Sequence, residues 1–131
     1  MAEFSIPPHG TICWRELATK DLTKAREFYS ELFGWTLEQS KITQMAYSEI
    51  HIDGQAVGGM MEMDENWGPL QSHWSTYVAV TNADETVDKI KANGGSIMNG
   101  PFDAPGVGRI AMVVDPSNAP FAIIQFEQPS A

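Results

Sequence analysis

At 131 residues, 43% of them hydrophobic, the chain has room for one domain with a real core and not for two independent ones. Seventeen acidic against eight basic residues give a net charge of −9. No basic footprint exists to displace counterions from nucleic-acid phosphates, and an anionic membrane surface would repel such a chain.

No apolar run approaches the roughly 20 residues of a membrane span. The opening MAEFSIPPHG lacks a basic segment followed by an apolar core. Cys13 is alone, which excludes an intrachain disulfide and fits a reducing compartment. The expectation is a soluble, cytoplasmic protein with neither a nucleic-acid nor a membrane partner.

Residues 1–9, with Pro7-Pro8, read as an extended arm, either disordered or laid across a neighbouring subunit. Residues 12–17 read as a strand, and a polar corner (18–21) leads into an amphipathic helix. Leu22, Ala25, Tyr29, Leu32 and Phe33, with Phe28 beside them, recur at intervals of three and four, which puts them on one helical stripe. Asp21 is a good N-cap and Gly34 a good left-handed stop. Strands follow at 35–38 and 45–52, and the Asp53-Gly54 hairpin signal hands the chain to a strand at 55–63. Residues 64–72, DENWGPLQS, read as a linker.

The same order then repeats. Residues 74–80 are apolar and β-rich. Asn82 caps a second helix, with Glu85 completing a capping-box pattern. Val87 and Ile90 mark its buried face, and Gly94-Gly95 end it. The interval from Asp21 to Asn82 equals that from Gly34 to Gly95. Short strands at 96–98, 109–114 and 121–126 are separated by a Pro- and Gly-rich loop (99–108) and by the turn Asp115-Pro116-Ser117-Asn118. A tail begins at residue 127. Such a period predicts an α+β fold of two βαβββ modules, about 10–63 and 74–127, joined by a linker (64–73) within a single domain, 10–127. Each four-stranded sheet would cover one face with its helix. Two of them edge to edge would form a curved mixed sheet around a cavity lined by alternate strand residues.

The pattern WREL-x-T-x-D, then AREFYSELFGW, GQAVGGM, YVAV-x-N with DKIKANGG, and VVDPSNAPFAIIQ, resembles the glyoxalase/bleomycin resistance/dioxygenase superfamily, the vicinal oxygen chelate (VOC) fold. The resemblance covers about residues 10–127. It implies, for the family's enzymes, a metal held by one ligand from the first and last strand of each module. Carried over, those positions fall on Trp14, Gly58, Ser75 and Ala122. Serine is a weak neutral ligand and the other three offer no side-chain donor. A register slip would bring Glu16, Glu62, His73 and Tyr77 within reach; Glu16 and His73 could in principle hold an ion, but two scattered residues without a ligand spacing do not make a centre.

The expected site is therefore metal-free, with no cofactor. Trp14, Met60, Tyr77, Ala122 and Ile124 supply apolar lining, and Glu16, Glu62 and Ser75 are its polar points. Glu16 is the candidate acid–base or binding residue, because a carboxylate in an otherwise apolar strand must face a wet cavity or find a partner. Cys13 is read as a small buried group against the helix, His51 as solvated beside its turn, and His73 as a pocket-rim residue. Residues 101–108 are read as either a mobile rim or an ordinary loop.

The leading expectation is a small-molecule binding protein of this superfamily, a homodimer whose ligand is aromatic or cationic; whether it catalyses a reaction is left open, with a binding role favoured over an enzymatic one. The alternative is a metal-dependent, glyoxalase-like lyase or dioxygenase with displaced ligands. A third reading is an interaction module whose cavity is filled by its own Trp and Met side chains. The sequence names no substrate.

Overall fold

The computed structural model describes residues 6–39, 47–65 and 70–127. The chain divides into two compact units: Trp14–Ser75, and the described parts of Met1–Cys13 with Thr76–Ala131. Each is built as the repeat predicts, on one four-stranded sheet and one helix. Among the described residues no helix is long and apolar enough to cross a membrane. The expected strand residues 45–46, the linker residues 66–69, the arm at 1–5 and the tail at 128–131 lie outside the described residues.

The first unit holds β1 (Ile12–Thr19, from Trp14 onward), α1 (Leu22–Phe33), β2 (Thr36–Gln39), β3 (Tyr47–Ile52) and β4 (Gln55–Glu62). Its strand order is β2-β3-β4-β1, with β1 parallel to β4 and the other pairs antiparallel. The hairpin between β3 and β4 turns on Asp53 and Gly54, both at positive φ (51° and 79°), as an Asp-Gly pair of this kind requires.

Helix α1 starts on two acceptors. Asp21 Oδ1 accepts the Lys24 N–H at 3.0 Å, as expected of the cap. Glu62 Oε1 also accepts the Leu22 N–H at 3.0 Å. Glu62 thus serves the helix end and is not a polar point on the opposite face, which corrects its sequence assignment. Both bonds satisfy amide donors that the first turn cannot pair internally. Glu62→Ala is expected to lower stability by about 1 kcal/mol, read as an earlier urea midpoint with an unchanged slope. At the other end Gly34 sits at φ 71°, its N–H on Ser30 O at 2.8 Å.

Only part of the predicted stripe is buried against the sheet. Leu22, Ala25 and Tyr29 pack on Leu17, Ile50 and Met60, with Trp35, Leu37 and Val57 around them. Phe28, Leu32 and Phe33 are exposed. Phe28 and Leu32 lie on the flank of the stripe. Phe33, in the last turn, stacks on Trp35 (ring centroids 5.2 Å) and Tyr29 (6.4 Å). Trp74 closes this aromatic group, its indole N–H donating to the Tyr29 hydroxyl at 3.2 Å.

The second unit repeats the plan with β5 (His73–Ala79, from Thr76 onward), α2 (Ala83–Ala92), β6 (Ser96–Ala104), β7 (Gly108–Val114) and β8 (Pro120–Phe126). The order is β5-β8-β7-β6, again with one parallel pair, β5 with β8. Asn82 Oδ1 accepts the Glu85 N–H at 3.0 Å. Gly94 takes φ 92°, and the Gly95 N–H closes on Ile90 O at 2.9 Å. Ala83 and Val87 of the helix pack on Val80, Ala111, Val113 and Ile123.

The described end of the arm is fastened in this unit. The Gly10 N–H donates to Ala79 O at 2.7 Å, and the Thr81 N–H to His9 Nδ1 at 3.0 Å. Cys13 is half-buried, its thiol 3.6 Å from Tyr77 O.

One local reading differs. Residues 99–104, expected in a loop, continue β6, whose ladder with β7 shifts register at Ile97/Asn99 and Asn99/Phe102. Those irregularities absorb Gly100 and Pro101, residues that otherwise break a strand. Only residues 105–107 turn, so no long rim loop exists there. The Asp115 turn is as read. Asp115 Oδ1 accepts from the Ser117 hydroxyl (2.6 Å), the Ser117 N–H (2.8 Å) and the Ala119 N–H (3.0 Å). The Ser117 hydroxyl leads in holding this carboxyl below its ordinary pKa.

Candidate functional site

In the first unit the strand pairing settles which side chains share a face. Leu17 lies opposite Met60 in the β1–β4 ladder, and both pack against α1. Their neighbours therefore point the other way: Glu16 and Ala18 from β1, Gly59 and Met61 from β4, Tyr47 and Glu49 from β3. The cross-strand rows are Glu16–Gly59–Glu49 and Ala18–Met61–Tyr47.

Met60 is fully buried under α1, so it does not lie on the face that carries Glu16. That corrects the sequence assignment by one residue of register. By the same shift Gly59, not Gly58, is the glycine that shares a face with Glu16.

The sheet face turned away from α1 combines an apolar floor with a polar centre, and Glu16, Ala18, Met61 and Met63 on it are buried. Ala18, Met61 and Met63 form a buried cluster, with Tyr47 and Leu70 packed against it. Over that floor the Tyr47 hydroxyl accepts from the Trp14 indole N–H at 2.8 Å and donates to the Glu16 carboxylate. Tyr47 gains its position from an absence: a Cβ on Gly59 would overlap its hydroxyl and ring. Glu16 is only 4% exposed. Burial in a strand would be costly for a lone carboxylate and is offset by such a donor.

The electrostatics fix the proton. Burial first, then the negative charge of Glu16, push the Tyr47 phenol far above its ordinary value of 10.0. The indole bond works in the opposite direction and is outweighed. Tyr47 is thus a neutral donor at any physiological pH. This bond orients the Glu16 carboxylate. The arrangement suits a ligand bearing an N–H, an O–H or a positive charge on an otherwise apolar or aromatic body.

The remaining sequence-assigned residues divide between the units. Ser75 closes the first unit and is buried. Tyr77, Ala122 and Ile124 lie in the second, on the sheet face turned away from α2. There Tyr77 pairs with Ala122, while the neighbouring Ile123 packs under the helix. His73 Nδ1 lies 2.7 Å from Gln71 O. Tyr47 was missed from sequence, and its signal was the glycine inside β4 that makes room for it.

The four positions that the resemblance assigns to the family's ligands carry poor donors. Trp14 spends its indole N–H on Tyr47, Ser75 is a weak neutral donor, and neither Ala122 nor either glycine candidate has a donor at all. Glu16 and His73, the displaced pair, do not belong to the group of three or more ligand-type side chains whose atoms converge within 4.8 Å among the described residues.

Comparison with known proteins adds the following. The family model of the Glyoxalase/Bleomycin resistance protein/Dioxygenase superfamily matches residues 11–123. The chain is 34% identical over 122 residues to "Putative glyoxylase CFP32" of Mycobacterium bovis, a match covering 88% of this chain and 46% of that protein. It is 31% identical over 119 residues to "Anthracycline biosynthesis protein DnrV" of Streptomyces peucetius, covering 91% and 42%. The chain therefore spans a little under half the length of these curated relatives. A "Probable lactoylglutathione lyase" of Vibrio cholerae is 28% identical over 124 residues and is covered over 90% of its own length. Among solved structures, a methylmalonyl-CoA epimerase of Streptomyces coelicolor in complex with 2-nitronate-propionyl-CoA superposes with a TM-score of 0.61 at 17% identity. That match covers 92% of this chain and all of the epimerase chain, and it shows a shared fold. With the family model matching residues 11–123 and the two βαβββ units in place, the chain belongs to the glyoxalase/bleomycin resistance/dioxygenase superfamily.

Proposed function

We propose that this is a small-molecule binding protein of the superfamily that works without the family's central catalytic ion. Trp14, Glu16 and Tyr47 form the polar end of its ligand site. The observation that carries the reading is chemical: the positions that would hold that ion lack donors, while the same sheet face carries one buried carboxylate oriented by a neutral phenol over an apolar floor. Relatives named for anthracycline biosynthesis, and epimerases solved with coenzyme A derivatives, support an organic ligand of some size. The buried Glu16 carboxylate supports a ligand with an aromatic or apolar body and a cationic or hydrogen-bond-donating end.

The test is a thermal-shift screen of aromatic, cationic and thiol-containing metabolites in the presence of a chelator. At least one compound is expected to raise the melting temperature of the wild type and to leave Glu16→Ala unmoved. Compound-dependent stabilisation, beyond that of the ion alone, that appears only once a divalent ion is restored would overturn the reading in favour of a metal-dependent lyase or dioxygenase.

A further inference from the structure

A second cluster of chemistry-bearing side chains lies on β2 and β3 of the first unit, beside the Trp14–Glu16–Tyr47 group: Glu49 shares its sheet face and its cross-strand row with Glu16. Glu49 and His51 are two residues apart on β3 and so share a face, while Glu38 on β2 is the direct cross-strand partner of Glu49. The three side chains converge. His51 Nε2 is 3.1 Å from Glu38 Oε2 and 3.0 Å from Glu49 Oε1. One ligand atom from each residue lies within 4.8 Å of the others. His51, which the sequence placed in solvent, keeps only 18% of its side chain exposed, and Glu49 keeps 25%.

Two carboxylates directly opposite on neighbouring strands repel one another, and they do so here in a chain of net charge −9. Among the described residues, the basic group within ion-pair distance of either is His51. A single imidazole nitrogen aimed at two carboxylate oxygens has one proton at most to share between them. A small divalent cation at the same point would be attracted by both carboxylates and by the imidazole lone pair at once. Two oxygens and one nitrogen form a borderline donor set that suits Zn²⁺ and its first-row neighbours better than Mg²⁺ or Ca²⁺.

We infer that Glu38, Glu49 and His51 form a binding site for a divalent transition-metal ion of the Zn²⁺ class, with its remaining coordination positions open to water or to a ligand. The site is separate from the positions that the family resemblance assigns to an ion, which fall on the first and last strands of each module. It does not depend on the reading of Glu16 and Tyr47.

Calorimetric titration of ZnCl₂ into chelator-stripped protein near neutral pH tests this. About one ion per chain is expected to bind. Affinity should fall by roughly tenfold or more in Glu49→Gln and in Glu38→Gln. Glu38 lies on the exposed edge strand, so Glu38→Gln keeps the fold, and a circular dichroism melt without metal confirms it. A wild type that takes up no ion at millimolar Zn²⁺, or uptake equally tight in wild type and both variants, would overturn the inference.

Discussion

Met60→Ala is expected to lower stability by about 2–5 kcal/mol, the range for truncating a large buried side chain. Met60 has no exposed surface and sits where Leu17 and Ile50 meet Leu22, Ala25 and Tyr29. No residue of α1 is itself fully buried, so the sheet side carries much of this contact and the helix has little with which to fill a void. A chemical denaturation series should show the midpoint falling while the slope holds, the pattern of a stability change without a change in the unfolded state. The same variant decides where Met60 faces. A methionine lining a ligand surface would cost ligand affinity and little stability when truncated. Beneath α1 the order reverses, with a large loss of stability and an unmoved affinity once the protein is folded. A loss below about 1 kcal/mol would mean that the register of β4 has been misread.

That register was the main thing the sequence could not supply. The modular repeat was legible because its punctuation is local: Asp21 and Asn82 bind amides three residues on, and Gly34, Gly94 and Asp53-Gly54 take backbone angles that their positions require. In Gly58-Gly59-Met60-Met61, by contrast, two small residues precede two identical large ones, and the run reads equally well in either register. Only the non-local pairing of Met60 with Leu17 separates the faces. Glu62 was misassigned for the same reason. Glu16 was legible because a carboxylate in an apolar strand needs an explanation wherever it points. Tyr47 was not, since an aromatic residue in a strand is unremarkable until Gly59 is seen to be the space it fills. Pro101 and its neighbouring glycine were read as a loop because local composition says so, while pairing with β7 kept them in the sheet through two register shifts.

The Tyr47 hydroxyl offers the sharpest test of the polar centre. Tyr47→Phe keeps the ring over Gly59 and removes one oxygen, leaving the Trp14 N–H without its acceptor and Glu16 without this donor. A loss of about 1–3 kcal/mol is expected, set by the unsatisfied partners more than by the bond itself. Glu16→Gln holds the shape and removes the charge. In the double variant the two losses should fall short of adding, by about 0.5–3 kcal/mol, because both substitutions break the same bond. Additivity to within about 0.5 kcal/mol would mean that Glu16 and Tyr47 do not act on each other. The alkaline limb gives an independent reading. The folded phenol titrates above its unfolded value near 10, so the folded state retains a proton that the unfolded chain releases. The associated stability is fully present below about pH 10 and declines as pH rises beyond it. Wild-type stability should therefore fall more steeply above about pH 10 than that of Tyr47→Phe, and parallel curves for the two would show that the phenol is not held neutral by burial and by Glu16.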